Sequence, residues 1–251
     1  MGLIRLDKYL ADMQIGTRSE VKKLIRAGKV RVDDRICRLP EEKLDPQLAR
    51  VMLGTEEVGY ADYEYFMLNK PKGCVSATED RRHPTVMDYI VEHKRKDLFP
   101  VGRLDLDTEG LLLITNDGAL AHMLTSPAHH IPKTYEASVD GIVMEEDVQE
   151  FAKGVDIGEK RPALPAELVI VKANVISQVR VTVYEGKFHQ VKRMFEAIDK
   201  PVLYLKRISM GSLVLDEELA AGAYRALSEH ELAGLRNIGQ QRLARRLCQD
   251  G

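Results

Sequence analysis

Cysteine is scarce in this chain. There are three in 251 residues, Cys37, Cys74 and Cys248, odd in number and far apart. They build no disulfide framework and show no paired metal-ligand spacing, so a reducing compartment, the cytoplasm, is the expected home. Long apolar runs are missing as well: no stretch approaches the roughly 20 residues that cross a bilayer. The N-terminal "MGLIRLDKYLADM" breaks its apolar residues with Asp7 and Asp12 and has no small-residue cleavage site, so it does not read as a signal peptide. Internal repeats and low-complexity segments are absent too. What remains is 44% hydrophobic and 30% charged, the composition of a globular chain long enough for one large domain or two smaller ones.

The net charge of −2 suggests no polyanionic partner, but its distribution does. Residues 1 to 40 hold ten Lys/Arg against five Asp/Glu, so a basic module is joined to a more acidic body. A solvated face is the plain alternative. "RLDKYLADM" places Leu6, Tyr9, Leu10 and Met13 at helical spacing. "SEVKKLIRAG" predicts a second helix, with Ser19 as N-cap, Val21, Leu24 and Ile25 turned inward, and a stop at Gly28. Strands are expected in "KVRVDDRIC", with a turn at Asp33-Asp34. Lys22, Lys23 and Arg26 then fall largely away from the apolar stripe, where phosphate could be met. This stretch resembles the S4 domain, which implies structured RNA as partner without implying an activity.

The acidic "LGTEEVGYADYE" reads as a linker between domains at 1–60 and 61–235, and "ELAGLRNIGQQRLARRLCQDG" as a helix and a frayed tail, with 236–251 set apart as the C-terminal tail. In the second part "EYFMLNKPKG", "LLLIT", "KTYEASVDG" and "SQVRVTVYEG" predict strands, and further strands are expected near "PVLYLKRISMGSLVL". "HPTVMDYIVEHKRKDLFP" predicts a helix and a connection, and "GALAHMLTSP" a helix ended by Pro127. "KFHQVKRMFEAIDK" predicts a helix with Phe188, Val191, Phe195 and Ile198 on one face. The class is therefore α+β.

"VGRLDLDTEGLLLITNDG" poses the functional question. Asp105, Asp107, Glu109 and Gly110 stand at the offsets of a calcium loop, but the twelfth position is Asn116, which cannot supply the bidentate carboxylate. A polar turn before a strand accounts for "DLDTEG" taken alone. His129, His130 and His189 have no Cys or His at ligand spacing, so no metal is expected.

The longer string resembles the signature of the pseudouridine synthases, in the RsuA branch that takes in ribosomal small-subunit and large-subunit enzymes. "NKPKG", "SPAHHIPKTYEA" and "EGKFHQVKRMF" agree in the same order, and an S4 domain is this branch's usual companion. The resemblance implies isomerisation of uridine in RNA, with Asp105 as nucleophile, Tyr135 stacking on the base and taking the C5 proton, and Lys192 holding Asp105 ionised. Arg193 is the alternative to Lys192. Without the motifs, Tyr135 reads as core and Lys192 as a solvated charge. RNA contacts are expected from Arg5, Lys8, Arg18, Lys22, Lys23 and Arg26 and, near the site, from Arg103, His189 and Arg193. Arg103 has a surface ion pair with Asp107 or Glu109 as its plain alternative.

No cofactor is expected, because the reaction is redox-neutral. Small-subunit (16S) rRNA, naked or in a partly assembled subunit, is the favoured substrate. The alternatives are 23S rRNA, or a non-catalytic S4-type assembly factor. A monomer is the default.

Overall fold

The computed structural model describes residues 2–247. They form two compact units: Met1–Glu64 joined by Glu92–Leu98, and Tyr65–Val91 joined by the chain from Phe99 onward. Among the described residues no helix is long and apolar enough to cross a membrane.

The first unit opens with strand β1 (Ile4–Arg5), helix α1 (Leu6–Asp12) and helix α2 (Arg18–Arg26). Strands β2 (Val30–Val32), β3 (Arg35–Cys37), β5 (Val51–Leu53) and β6 (Glu56–Glu57) form one sheet, while β4 (Lys43–Leu44) pairs with β1. Leu6, Tyr9, Leu10, Val21 and Ile25 pack from the helices against Val30, Val32 and Val51. The cap of α2 is Thr17, two residues before the Ser19 expected. Its hydroxyl accepts from the Glu20 amide while the Glu20 carboxylate accepts from the Thr17 amide. Glu20 stands three residues after Thr17 and completes a reciprocal box; three residues after Ser19 comes Lys22, which cannot.

The second unit is built on a mixed sheet of nine strands. Its elements are β7 (Tyr65–Lys70), β8 (Phe99–Val101), β9 (Glu109–Thr115), β10 (Lys133–Asp140), β11 (Glu167–Lys172), β12 (Ile176–Val183), β13 (Val202–Met210), β14 (Leu213–Val214) and β15 (Tyr224–Ala226). The main path runs β11-β12-β10-β13-β9-β7-β15. Every pairing is antiparallel except β13 with β9. The helices are α3 (Gly118–Thr125), α4 (Glu145–Lys153), α5 (Gln190–Glu196) and α6 (Glu229–Leu247). β9 is buried along nearly its whole length and therefore reads as a continuous apolar run, whereas β12 alternates. Met67, Leu111, Leu113, Leu124, Ile131 and Met210 form the core beneath.

Three expectations need correction. The helix expected over "HPTVMDYIVEHK" is a single 3-10 turn, Val86–Tyr89, because Glu92–Leu98 leave to join the first unit. There Arg95, 8% exposed, is held between Asp12 at 3.4 Å and Asp97 at 2.7 Å. Phe188 does not share the inward face of α5: it precedes the helix and is 71% exposed, and Ile198 follows the helix and is only partly buried. The C-terminal helix expected over "ELAGLRNIGQQRLARRLCQDG" is present as α6, but the boundary drawn at residue 236 falls inside it, because the helix runs from Glu229 to Leu247; residues 248–251 lie outside the described residues.

α6 is tied down by ions at its start. Arg225 grips Glu231 through both terminal nitrogens (2.8 and 2.9 Å) and Asp216 through Nε at 2.7 Å. Arg225 first, with Ser228 adding to it, pulls the Glu231 carboxyl down to about 2. A depressed carboxyl stabilises the fold above its ordinary value and loses that contribution as pH falls through the folded value. Glu231→Gln should therefore lower Tm at pH 7, and this deficit should shrink at pH 2.5. An unchanged deficit in thermal melts at the two pH values would contradict the assignment.

Candidate active site

The turn before β9 carries the acids singled out in the sequence, and the "NKPKG" segment holds it. Lys70 ends β7, fully buried, and its ammonium donates to the carbonyls of Pro71 (3.0 Å), Asp105 (3.0 Å) and Thr108 (2.9 Å). Burial pulls the Lys70 ammonium below its ordinary value, and the neighbouring anionic groups oppose this. The Thr108 amide closes the turn on the Asp105 carbonyl at 3.1 Å, and the Gly73 amide donates to Leu106 at 2.7 Å. The Ser76 hydroxyl bonds both the amide and the carbonyl of Leu104, each at 3.0 Å. Asp105 thus stands on a backbone fixed on both sides.

Gly110 lets the strand start where it does. Its φ is +100°, and a Cβ there would lie 2.2 Å from the Arg207 carbonyl oxygen. Gly110 is the partner of Arg207 in the parallel β9–β13 pairing, so two backbones meet at this point with no room for a side chain.

The carboxylate of Asp105 meets Lys192, from the first turn of α5, at 3.1 Å, and Nε2 of His189 at 3.5 Å. Lys192 also donates to Asp107 at 2.6 Å. That bond, then the ammonium's charge, holds Asp107 below the usual carboxylate range despite partial burial. Burial alone would lower Lys192, but the bonds to Asp107 and Asp105 outweigh it and the ammonium is held above its ordinary value. The Asp105 side chain is 28% exposed and that of Asp107 71%, so Asp105 is the enclosed acid and Asp107 the solvated partner.

α5 begins at Gln190 because His189 takes φ +50° and breaks the helix behind it. A non-glycine residue in this region is strained, and such strain collects at functional sites. The bend lays the Phe188 ring on the His189 ring, 3.8 Å between centroids.

A cavity of about 830 Å³ opens over this turn. Arg103, Asp105, Tyr135, His189 and Lys192 all line it. Tyr135 is 9% exposed on β10, and its hydroxyl bonds to nothing among the described residues. Arg103 is exposed and forms no ion pair among the described residues, so the pairing with Asp107 or Glu109 does not occur; Lys192 and Tyr204 occupy those acids instead. Arg193 turns away from Asp105. It donates to Glu159 at 2.8 Å and to the carbonyls of Ile157 and Phe188, bracing the loop beside α5.

In the first unit Lys8, Arg18, Lys23 and Arg26 are exposed and join no ion pair among the described residues. Lys22 is half-buried, 3.8 Å from the buried Asp7. Arg5 is engaged, with Asp7 at 2.8 Å and Glu41 at 3.3 Å.

Two residues escaped the sequence reading. Lys70 could have been found as a lone cation closing an apolar strand next to Pro-Gly. Arg207 could not, because its partners come from strands distant in the chain.

The chain matches the RNA pseudouridylate synthase family over residues 64–197 and the S4 domain over residues 4–48. A Bacillus subtilis protein described as an uncharacterized RNA pseudouridine synthase, YtzG, is 46% identical over 91% of this chain and 97% of its own length. The ribosomal small subunit pseudouridine synthase A of Escherichia coli K12 is 41% identical over 92% of this chain and all of its own. A pseudouridylate synthase crystal structure superposes with a TM-score of 0.65 at 38% identity, covering 92% of this chain and 99% of that one. With an N-terminal S4 domain and the α+β synthase fold behind it, this chain belongs to the RNA pseudouridylate synthase family.

Proposed function

We propose that the protein converts a specific uridine of small-subunit (16S) rRNA to pseudouridine, with Asp105 as nucleophile and the target base flipped into the cavity. The observation that supports this reading most is the Asp105–Lys192 contact of 3.1 Å on the wall of the cavity that Tyr135 also lines. A carboxylate with an ammonium beside it suits attack at a sugar carbon where positive charge develops. The glycosidic C1′–N1 bond breaks, the uracil departs as an anion and turns, and C5 bonds to C1′. N1 takes up a proton and C5 loses one, for which the unpartnered Tyr135 hydroxyl is the nearest candidate. Attack at C1′ and loss of a sugar proton to give a glycal both leave this balance intact. The rearrangement is redox-neutral and the departing base is also the incoming group, so the chemistry calls for no cofactor.

A uridine stacked in folded RNA cannot bring C1′ to a carboxylate on a cavity wall, so flipping is part of the proposal, at a cost of a few kcal/mol recovered in stacking and phosphate contacts. Residues 187 to 207 carry six Lys/Arg against two Asp/Glu, and Arg103 and His189 stand at the cavity to meet the backbone. The S4 unit, residues 1 to about 60, supplies the wider grip. The choice of small-subunit RNA draws on the likeness to ribosomal small subunit pseudouridine synthase A. The protein acts as a monomer in the cytoplasm, on naked RNA or on a partly assembled subunit.

Mapping pseudouridine in both rRNAs from cells with and without the protein tests the substrate. Loss of one position in small-subunit RNA is expected. Loss in large-subunit RNA alone overturns the substrate, and no loss in either favours a binding-only role.

The S4 contribution has its own test. Replacing Lys22, Lys23 and Arg26 together by Gln should weaken RNA binding and reduce the slope of log affinity against log salt by roughly two to three. The rate on bound RNA should stay close to wild type. Asp7 keeps Arg5 as partner, so the fold survives the change. An unchanged salt slope would send the RNA path elsewhere.

A further inference from the structure

Arg207 is a buried cation with no anionic partner among the described residues. It lies on β13, 2% exposed, and its Nε donates to the Leu111 carbonyl at 2.8 Å. Nη2 is buried with no hydrogen-bond partner, and among the described residues the guanidinium forms no ion pair. A buried guanidinium left this way is expensive to keep, because its desolvation is not offset by an anion. Buried polar groups are nearly always satisfied, so an exception calls for an explanation.

The position supplies one. In the sheet register Arg207 faces Tyr135 on β10 and Gly110 on β9, so it sits between the strand that carries the tyrosine and the strand that follows the Asp105 turn. It lines the same cavity as both Asp105 and Tyr135. Asp105 already has its cation in Lys192, and Asp107 shares it. Arg207 is therefore a buried cation on the cavity wall that none of the described acids pairs.

We infer that Arg207 is a base-contacting residue: its guanidinium receives a carbonyl oxygen of the target uracil and stabilises the negative charge the base carries while detached from the sugar. The inference rests on reading this cavity as the isomerase site. When C1′–N1 breaks, the bonding pair stays with the base and spreads over N1, O2 and O4. A guanidinium edge matches a planar, charge-delocalised acceptor, and in an enclosed site it acts where the charge develops. The charge is discharged when C5 bonds to C1′, the C5 proton leaves and N1 is protonated, so Arg207 itself ends unchanged.

The test combines a variant with a change in the leaving base. Arg207→Gln and Arg207→Lys are compared with wild type on small-subunit rRNA carrying either uridine or 5-fluorouridine. The readouts are RNA affinity, Tm and single-turnover conversion by nucleoside analysis: pseudouridine from uridine and, from 5-fluorouridine, whose C5 has no proton to lose, the C5-linked fluorinated nucleoside with water added across C6 and N1. Fluorine draws charge from the departing base and lessens its need for a cation. Arg207→Gln is expected to slow ordinary RNA by about 10²-fold, the usual effect of removing one such donor, while affinity changes little. On the fluorinated RNA its deficit should fall to roughly a tenth of that, and Arg207→Lys should lie between Gln and wild type on ordinary RNA. Equal slowing on both RNAs would mean that Arg207 only braces the sheet, and rates near wild type would also overturn the inference. A loss of affinity in step with the loss of rate would assign the guanidinium to phosphate instead. Should Arg207→Gln fail to fold, Arg207→Lys, which keeps the charge, carries the same comparison. If wild type converts neither RNA, the reading of the cavity fails rather than the role of Arg207.

Discussion

Asp105→Asn is expected to bind RNA within about threefold of wild type and to form product at least about 10⁴-fold more slowly, as when a nucleophile is removed while binding is kept. The geometry supports both halves. The turn is held through the carbonyls of Asp105 and Thr108, which a side-chain change does not touch. Lys192 keeps its bond to Asp107 at 2.6 Å, so the ammonium is not stranded. Asparagine keeps the shape but cannot add to C1′ or take up a proton. Asp107→Asn is the control, since both acids share one lysine. Asp107 is largely solvated, and its neutralisation should leave most of the activity. If Asp107→Asn is the inactive variant and Asp105→Asn the active one, the nucleophile has been assigned to the wrong carboxylate.

Gly110→Ala is expected to unfold the second unit or leave it severely destabilised. A methyl group 2.2 Å from the Arg207 carbonyl cannot be accommodated by moving a side chain, because the obstacle is backbone. The φ of +100° adds a conformational penalty of its own. Together these amount to about 3 kcal/mol or more, a loss on the order of 10 °C in Tm for a chain of this size. β9 and β13 would separate at their parallel junction, where the Asp105 turn ends, so activity should fall with stability. A melting temperature within a degree or two of wild type would show that the two strands are not in this contact.

The parts of this fold that could be read from sequence are those whose reasons are local. β9 was legible because "LLLIT" is apolar without interruption, and β12 because its valines alternate. α2 was legible as a helix, and even its true cap was present in the sequence as the Thr17–Glu20 spacing, which fits a capping box where Ser19 does not. The segment 86–98 misleads because its helical pattern is cut by a distant requirement: Glu92–Leu98 belong to the first unit, where Arg95 meets Asp12 and Tyr60. Phe188 misleads because one left-handed residue, His189, takes it out of the periodicity of α5.

At the site, the ordered motifs brought Asp105, Tyr135 and Lys192 onto one list, and the fold brings them to one cavity. The choice between Lys192 and Arg193 could not be made from sequence, since adjacent helical residues differ by about 100° in direction. The structure separates them by partner: Asp105 for one, Glu159 for the other. Lys70 and Arg207 belong to the same site through contacts spanning 35 and 96 positions of chain, which no local pattern announces.

Small-subunit rRNA labelled with tritium at uridine C5, incubated with the wild-type protein as naked RNA and as assembly intermediates, tests the central claim most directly. The account predicts release of one tritium for each pseudouridine formed, at a single position. No release from either form of the RNA, with binding intact, would contradict it and leave a protein that grips ribosomal RNA without changing it.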